Sequence, residues 1–132
     1  MSSLRKLTPN CMVEDVARTL DYYRDVLGFA AVATVPERPP YNWAMAVRDD
    51  VALMFQSRAS LEDDLPIFRN LPIGASLGFY IDVTDVRDLH GQLKGRAEVV
   101  LELRETFYGA TEFAIRDCNG YILCFAQQKG EG

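Results

Sequence analysis

Val13-Glu14-Asp15-Val16 returns as Val83-Thr84-Asp85-Val86, and the residues beyond each copy repeat in kind. Ala46-Val47-Arg48-Asp49 is matched by Ala114-Ile115-Arg116-Asp117, and Leu53-Met54-Phe55 by Leu123-Cys124-Phe125. The matches keep one order along the chain, at offsets of 68 and 70 residues. A near-constant offset means one supersecondary unit written twice.

Within each copy a strand ending at Val13 or Val83 meets an Asp whose carboxylate can accept from the free amides of a first helical turn. Val16, Leu20, Tyr23 and Leu27 then share one helical face before Gly28, as Val86, Leu89 and Leu93 do before Gly95. Three β-like segments come after each helix: 29–35, 41–47 and 51–56 in the first copy, 97–104, 111–115 and 121–126 in the second. Arg48-Asp49-Asp50 and Asp117-Cys118-Asn119-Gly120 read as hairpin turns. The expected fold is α+β: two βαβββ modules in one domain spanning 1–132, module one at 4–57 and module two at 76–128. The Asp-, Pro- and Asn-rich stretch 58–75 reads as a linker with room for a helical turn around Leu61 to Phe68.

Composition narrows the function. Fourteen Lys and Arg against nineteen Asp and Glu give a net charge of −5, with no basic cluster among aromatics, so nucleic acid is not an expected partner. No apolar run is long enough to span a bilayer, and the N-terminus lacks the apolar core of a leader, so a cytoplasmic location with no membrane partner is expected. Cys11, Cys118 and Cys124 have no Cys-x-x-Cys spacing and read as reduced thiols. The single histidine, His90, is expected at the surface of the second helix.

The doubled βαβββ pattern, with Leu20-Asp21-Tyr22-Tyr23-Arg24-Asp25-Val26-Leu27-Gly28-Phe29 after the first Asp, resembles the vicinal-oxygen-chelate superfamily of glyoxalases, bleomycin-resistance proteins and dioxygenases. Within it, the stretches from Trp43 to Leu53 and from Tyr108 to Asp117 are similar to segments of bleomycin-resistance proteins, with Tyr108 standing for the usual Trp and Cys118 for the usual Pro. The resemblance implies incomplete eight-stranded barrels around a cavity and modules paired across a homodimer. It also implies antibiotic resistance by sequestration of a small molecule.

Superfamily enzymes hold a divalent metal at four positions, which the resemblance maps to Thr8, Met54, Gly78 and Cys124. None is a good ligand for a hard cation, and neither 5–13 nor 76–83 contains a His, Gln or Glu. The expectation is therefore no metal, no cofactor and no catalytic residue. The alternative is a metal-dependent lyase, isomerase or dioxygenase with an atypical ligand set. The expected ligand-binding residues are Trp43, Met45, Phe55, Tyr80, Tyr108 and Glu112. Alternation puts Trp43, Met45 and Val47 on one face, which Phe55 can share, although Trp43, Met45 and Phe55 read equally as barrel core. Trp43 and Tyr108 are suited to stack on a planar ring, while Glu112 or Glu105 holds a cationic group. Glu112 is expected to act as an unpaired carboxylate in the cavity. The path of the Pro-rich loop from Pro36 to Tyr41 is not legible from composition.

Overall fold

The computed structural model describes residues 2–74 and 76–130, so Met1, Ala75, Glu131 and Gly132 lie outside the described residues. The chain forms two compact units, Met1–Leu71 and Pro72–Gly132. The first contains β1 (Asn10–Val13), α1 (Val16–Asp25), β2 (Ala30–Val35), β3 (Trp43–Arg48), β4 (Val51–Ser57), α2 (Arg58–Asp64) and a 3₁₀ turn at Pro66–Phe68. The second contains β5 (Gly78–Asp82), α3 (Val86–Leu93), β6 (Glu98–Glu105), β7 (Ala110–Arg116) and β8 (Ile122–Gln128). Both have the βαβββ order read from the repeat.

Each unit is one four-stranded mixed sheet, ordered β1-β4-β3-β2 and β5-β8-β7-β6. The first and last strands of a unit lie side by side and parallel, and the remaining pairs are antiparallel. The helix joins a strand at one edge to the strand at the other edge and packs on one face. In the first unit Val16, Thr19 and Tyr23 of α1 are buried, and Tyr23 sets its ring against Phe29 at 5.4 Å and Phe55 at 4.8 Å. Thr19 takes the buried place expected of Leu20, because its hydroxyl donates to the Asp15 carbonyl at 2.8 Å and so enters the core satisfied. In the second unit Val86, Leu89 and Leu93 are buried as the spacing predicts.

The helix starts reflect local chemistry. Asp15 accepts from the Arg18 amide at 3.0 Å and Asp85 from the Asp88 amide at 3.1 Å, each satisfying a donor of the first turn. Replacing Asp85 with Ala should lower stability by about 1 kcal/mol, read as a shift in urea midpoint with unchanged slope. An unchanged midpoint would mean the cap is redundant with the neighbouring bond from the Val86 amide to Gln127 Oε1.

Two local features depart from the sequence reading. The stretch 58–75 is not simply a connector: α2 begins at once after β4, capped by Ser57, and buries Leu61, so the helical turn starts at Arg58 rather than near Leu61. Gly74 comes next at φ +80°, where a Cβ would stand 2.7 Å from the Asn119 carbonyl oxygen, so only glycine allows this approach to the β7–β8 turn. His90 is largely covered, its ring edge-on to Phe113 at 5.0 Å and its Nε2 2.9 Å from Glu102. Helical spacing alone places His90 outward, but the sheet extends beneath it. The loop from Pro36 to Tyr41 closes back on its own hairpin, with the Asn42 amide donating to the Val35 carbonyl.

The hairpin turns are built as the motif suggests. Asp49 and Gly120 take positive φ, at 52° and 92°. Buried Asp117 accepts from the amides of Asn119 and Tyr121, both at 2.8 Å, which is turn chemistry, whereas Asp49 serves its turn by its positive φ with its side chain exposed.

Candidate functional site

Register decides which side chains share a face. In the first unit Trp43 lies opposite Gln56, Met45 opposite Met54 and Val47 opposite Ala52, and these stand on the face turned away from α1. Parallel pairing adds Asn10 beside Met54 and Met12 beside Gln56. Phe55 lies opposite Ala44, one step out of phase, and is fully buried against Tyr23. The expectation that Phe55 shares a surface with Trp43 and Met45 is therefore corrected: β4 parity sends it to the helix side, and it is core. Trp43 and Met45 do come together, both partly exposed. Beside them, Gln56 is a satisfied buried amide. Its oxygen accepts from Asn10 at 2.9 Å, and its nitrogen donates to Ser60 Oγ at 2.9 Å and Asp64 at 2.8 Å.

In the second unit the face away from α3 carries Glu112, Ala114, Cys124, Ala126, Tyr80 and Asp82, aligned by cross-strand pairing. Glu112 is only 2% exposed, yet it is not unpaired. Arg104, directly opposite on β6, donates to Oε1 from Nη2 at 2.9 Å and Nε at 3.3 Å. The Tyr108 hydroxyl lies 2.9 Å from both carboxylate oxygens, and the Tyr80 hydroxyl donates to Oε2 at 3.4 Å. Gln128 Nε2 donates in turn to the Tyr80 oxygen at 3.3 Å and to Asp82 at 3.0 Å.

Glu112, Tyr80 and Tyr108 thus belong to one cluster, although Tyr108 stands in the turn before β7 rather than in the strand. Glu105 does not join it, because it pairs with Thr111 and points to the other face. Three residues of this cluster escape the sequence reading: Arg104, Gln128 and Phe107. The first had a readable signal, since Arg104 and Glu112 stand four positions on either side of Tyr108, as cross-strand partners in a hairpin centred there do. Phe107, fully exposed and edge-on to Tyr108 at 5.1 Å, adds a further aromatic surface.

Electrostatics track the contacts. Burial by itself would raise the Glu112 carboxyl, but hydrogen bonds from Arg104 and Tyr108 and the guanidinium charge outweigh it and hold the group below the usual carboxylate range. The same bond to Glu112 raises the Tyr108 phenol. Cys124 is pushed up by burial and then by the nearby Glu112 charge, so its sulfur is a thiol near neutral pH, not a nucleophilic thiolate.

The residues do not fit a hard divalent metal. Thr8 precedes β1, and Gly78 offers no side-chain donor. The strand partners of Met54 and Cys124 are Asn10 and Tyr80, and Glu112 is bound to a guanidinium. Among the described residues, no group of three or more His, Cys, Asp or Glu gathers to hold an ion.

The family model of the glyoxalase/bleomycin resistance protein/dioxygenase superfamily matches residues 8–125, and the chain belongs to that superfamily. Solved structures share the fold at low identity. A glyoxalase/bleomycin resistance protein/dioxygenase from Nocardioides superposes with a TM-score of 0.80 at 12% identity, covering 100% of this chain and 88% of that one. TioX from Micromonospora sp. ML1 gives 0.74 at 17%, covering 94% and 98%. The bleomycin-binding protein of bleomycin-producing Streptomyces verticillus, in complex with copper(II)-bleomycin, gives 0.64 at 21%, covering 99% and 100%. No curated protein sequence matches the chain. No helix among the described residues is long and apolar enough to cross a membrane.

Proposed function

We propose that this chain binds and sequesters small aromatic molecules without a metal and without chemistry, in the manner of a bleomycin-binding protein. The carrying observation is the second unit's sheet face. Two half-exposed phenol rings, Tyr80 and Tyr108, are anchored through their hydroxyls on a buried, saturated carboxylate and offer their ring surfaces outward. Rings held in this way lose little further freedom on binding, and their apolar area supplies affinity. Trp43, Met45 and Met54 form a second apolar surface on the first unit. The similarity to a bleomycin-binding protein and the poor metal-donor set support the same reading. A homodimer is the proposed working form, for which sedimentation should return twice the mass of the chain.

The test is calorimetric titration of metal-free protein with bleomycin and a panel of planar aromatic compounds, with the fluorescence of Trp43 followed in parallel. Saturable binding is expected, weakened about tenfold by Tyr108→Ala, a loss of roughly 1.4 kcal/mol. Failure of every compound to bind, or recovery of a stoichiometric metal on which catalysis depends, would overturn the proposal.

A further inference from the structure

The Arg104–Glu112 pair reverses the charge preference that a lone Glu112 would have had. A carboxylate offers about four acceptor directions. Here they are taken by Arg104 Nε, Arg104 Nη2, Tyr108 and Tyr80. No lone pair is left for a cationic ligand, and an incoming cation would meet the guanidinium first. Arg104 is 53% exposed while its partner is 2% exposed, so the outer member of the pair is the positive one.

Arg104 has five N–H donors in a planar fork, and Glu112 occupies only the Nε and Nη2 edge. Among the described residues no hydrogen bond from Nη1 is present, and although the Tyr108 hydroxyl also interacts with the guanidinium, the Nη1 end of the fork is the edge suited to a second carboxylate. The orientation of that edge is fixed from behind: Glu112 sits on a central strand, and Tyr108 and Tyr80 hold its oxygens in place. Asp82, the nearest further carboxylate on this face, accepts from Gln128.

We propose that the second unit's face selects planar aromatic ligands bearing a carboxylate or an equivalent anionic acceptor, with Arg104 as the recognising group and Glu112 as the residue that positions it. This deepens the small-molecule-binding function proposed above and rests on it. The ring lies against Tyr80 and Tyr108, and the acid reaches the Nη1 edge of Arg104.

Three probes with one ring system separate the possibilities: 2-naphthoate, 2-naphthalenemethanol and 2-naphthylmethylamine, titrated calorimetrically at pH 7 into the full chain. The acid should bind at least about tenfold tighter than the alcohol or the amine, a charge-assisted contact being roughly twice as strong as a neutral one. Arg104→Gln should abolish that preference, leaving the acid no tighter than the alcohol in the same variant, and Arg104→Lys should keep only part of it. A cooperative urea transition of each variant shows that it folds. Equal binding of all three probes, preference for the amine, or undiminished acid preference in Arg104→Gln would overturn the anion proposal while the sequestration reading stands. Failure of all three to bind a parent that binds other aromatic compounds would overturn the anion proposal alone, and failure of every aromatic compound would overturn both.

Discussion

Phe55→Ala should lower the unfolding free energy by about 3–5 kcal/mol and leave ligand affinity, per folded molecule, unchanged. The ring is fully buried, 4.8 Å from Tyr23 and opposite Ala44, on the side of β4 that faces α1. Truncation removes apolar area and leaves a cavity that Ala44 cannot fill, and rigid strands on either side limit collapse. The loss is a large part of the stability of an ordinary domain, so unfolding is best measured by urea at low temperature, with binding followed on the folded fraction. Met45→Ala, on the opposite face, should cost less stability because Met45 is only partly buried. If Phe55→Ala altered affinity while leaving the urea midpoint in place, the assignment of faces in the first unit would be wrong.

Glu112→Gln should destabilise the second unit by about 2 kcal/mol at neutral pH. The full penalty of breaking a buried ion pair does not apply, because Arg104 is half exposed and water can solvate it once its partner is gone. The pH dependence carries the sharper signature. The folded carboxyl titrates below its unfolded value near about 4.3, so its stabilisation is complete above that value and fades as pH falls through the lower folded one. Urea midpoints of parent and variant should therefore differ most near neutrality and converge as the solution is acidified below about pH 4. Parallel curves across that range would mean that the cluster around Glu112 does not form in solution.

The architecture is legible in the sequence because it rests on local chemistry repeated twice. Capping Asp15 and Asp85, the stops at Gly28 and Gly95 with their positive φ, and the turn residues Asp49 and Asp117 each meet a local backbone requirement with one residue. Membership of a face is less legible. Trp43 and Met45 alternate within one strand and group together from pattern alone, but Phe55 sits on a different strand, where a register shift of one residue exchanges the faces. The site is half visible for a related reason. Glu112, Tyr108 and Tyr80 are conspicuous residue types, whereas the pairing of Glu112 with Arg104 depends on the register of a hairpin with irregularities between Val99 and Leu101 and between Leu101 and Arg104. That missing partner turns a carboxylate that would await a cation into the support for a guanidinium. His90 is misplaced by pattern reading because a helical period tells which side faces the sheet but not how far the sheet extends.

The parallel pairing of the first and last strands of each unit also constrains its birth on the ribosome. Within its sheet β1 pairs with β4 alone, the last strand of its unit, and β5 likewise waits for β8. Neither sheet can be completed until nearly all of its own unit has left the exit tunnel, and synthesis of the second unit alone takes on the order of several seconds. During that interval β5 has no neighbour, and Phe113 and Ile115 of β7, buried in the finished unit, still lack β8 alongside. Late arrival of β8, rather than formation of the α3 helix, is thus the stage at which a nascent chain is most open to chaperone capture or aggregation.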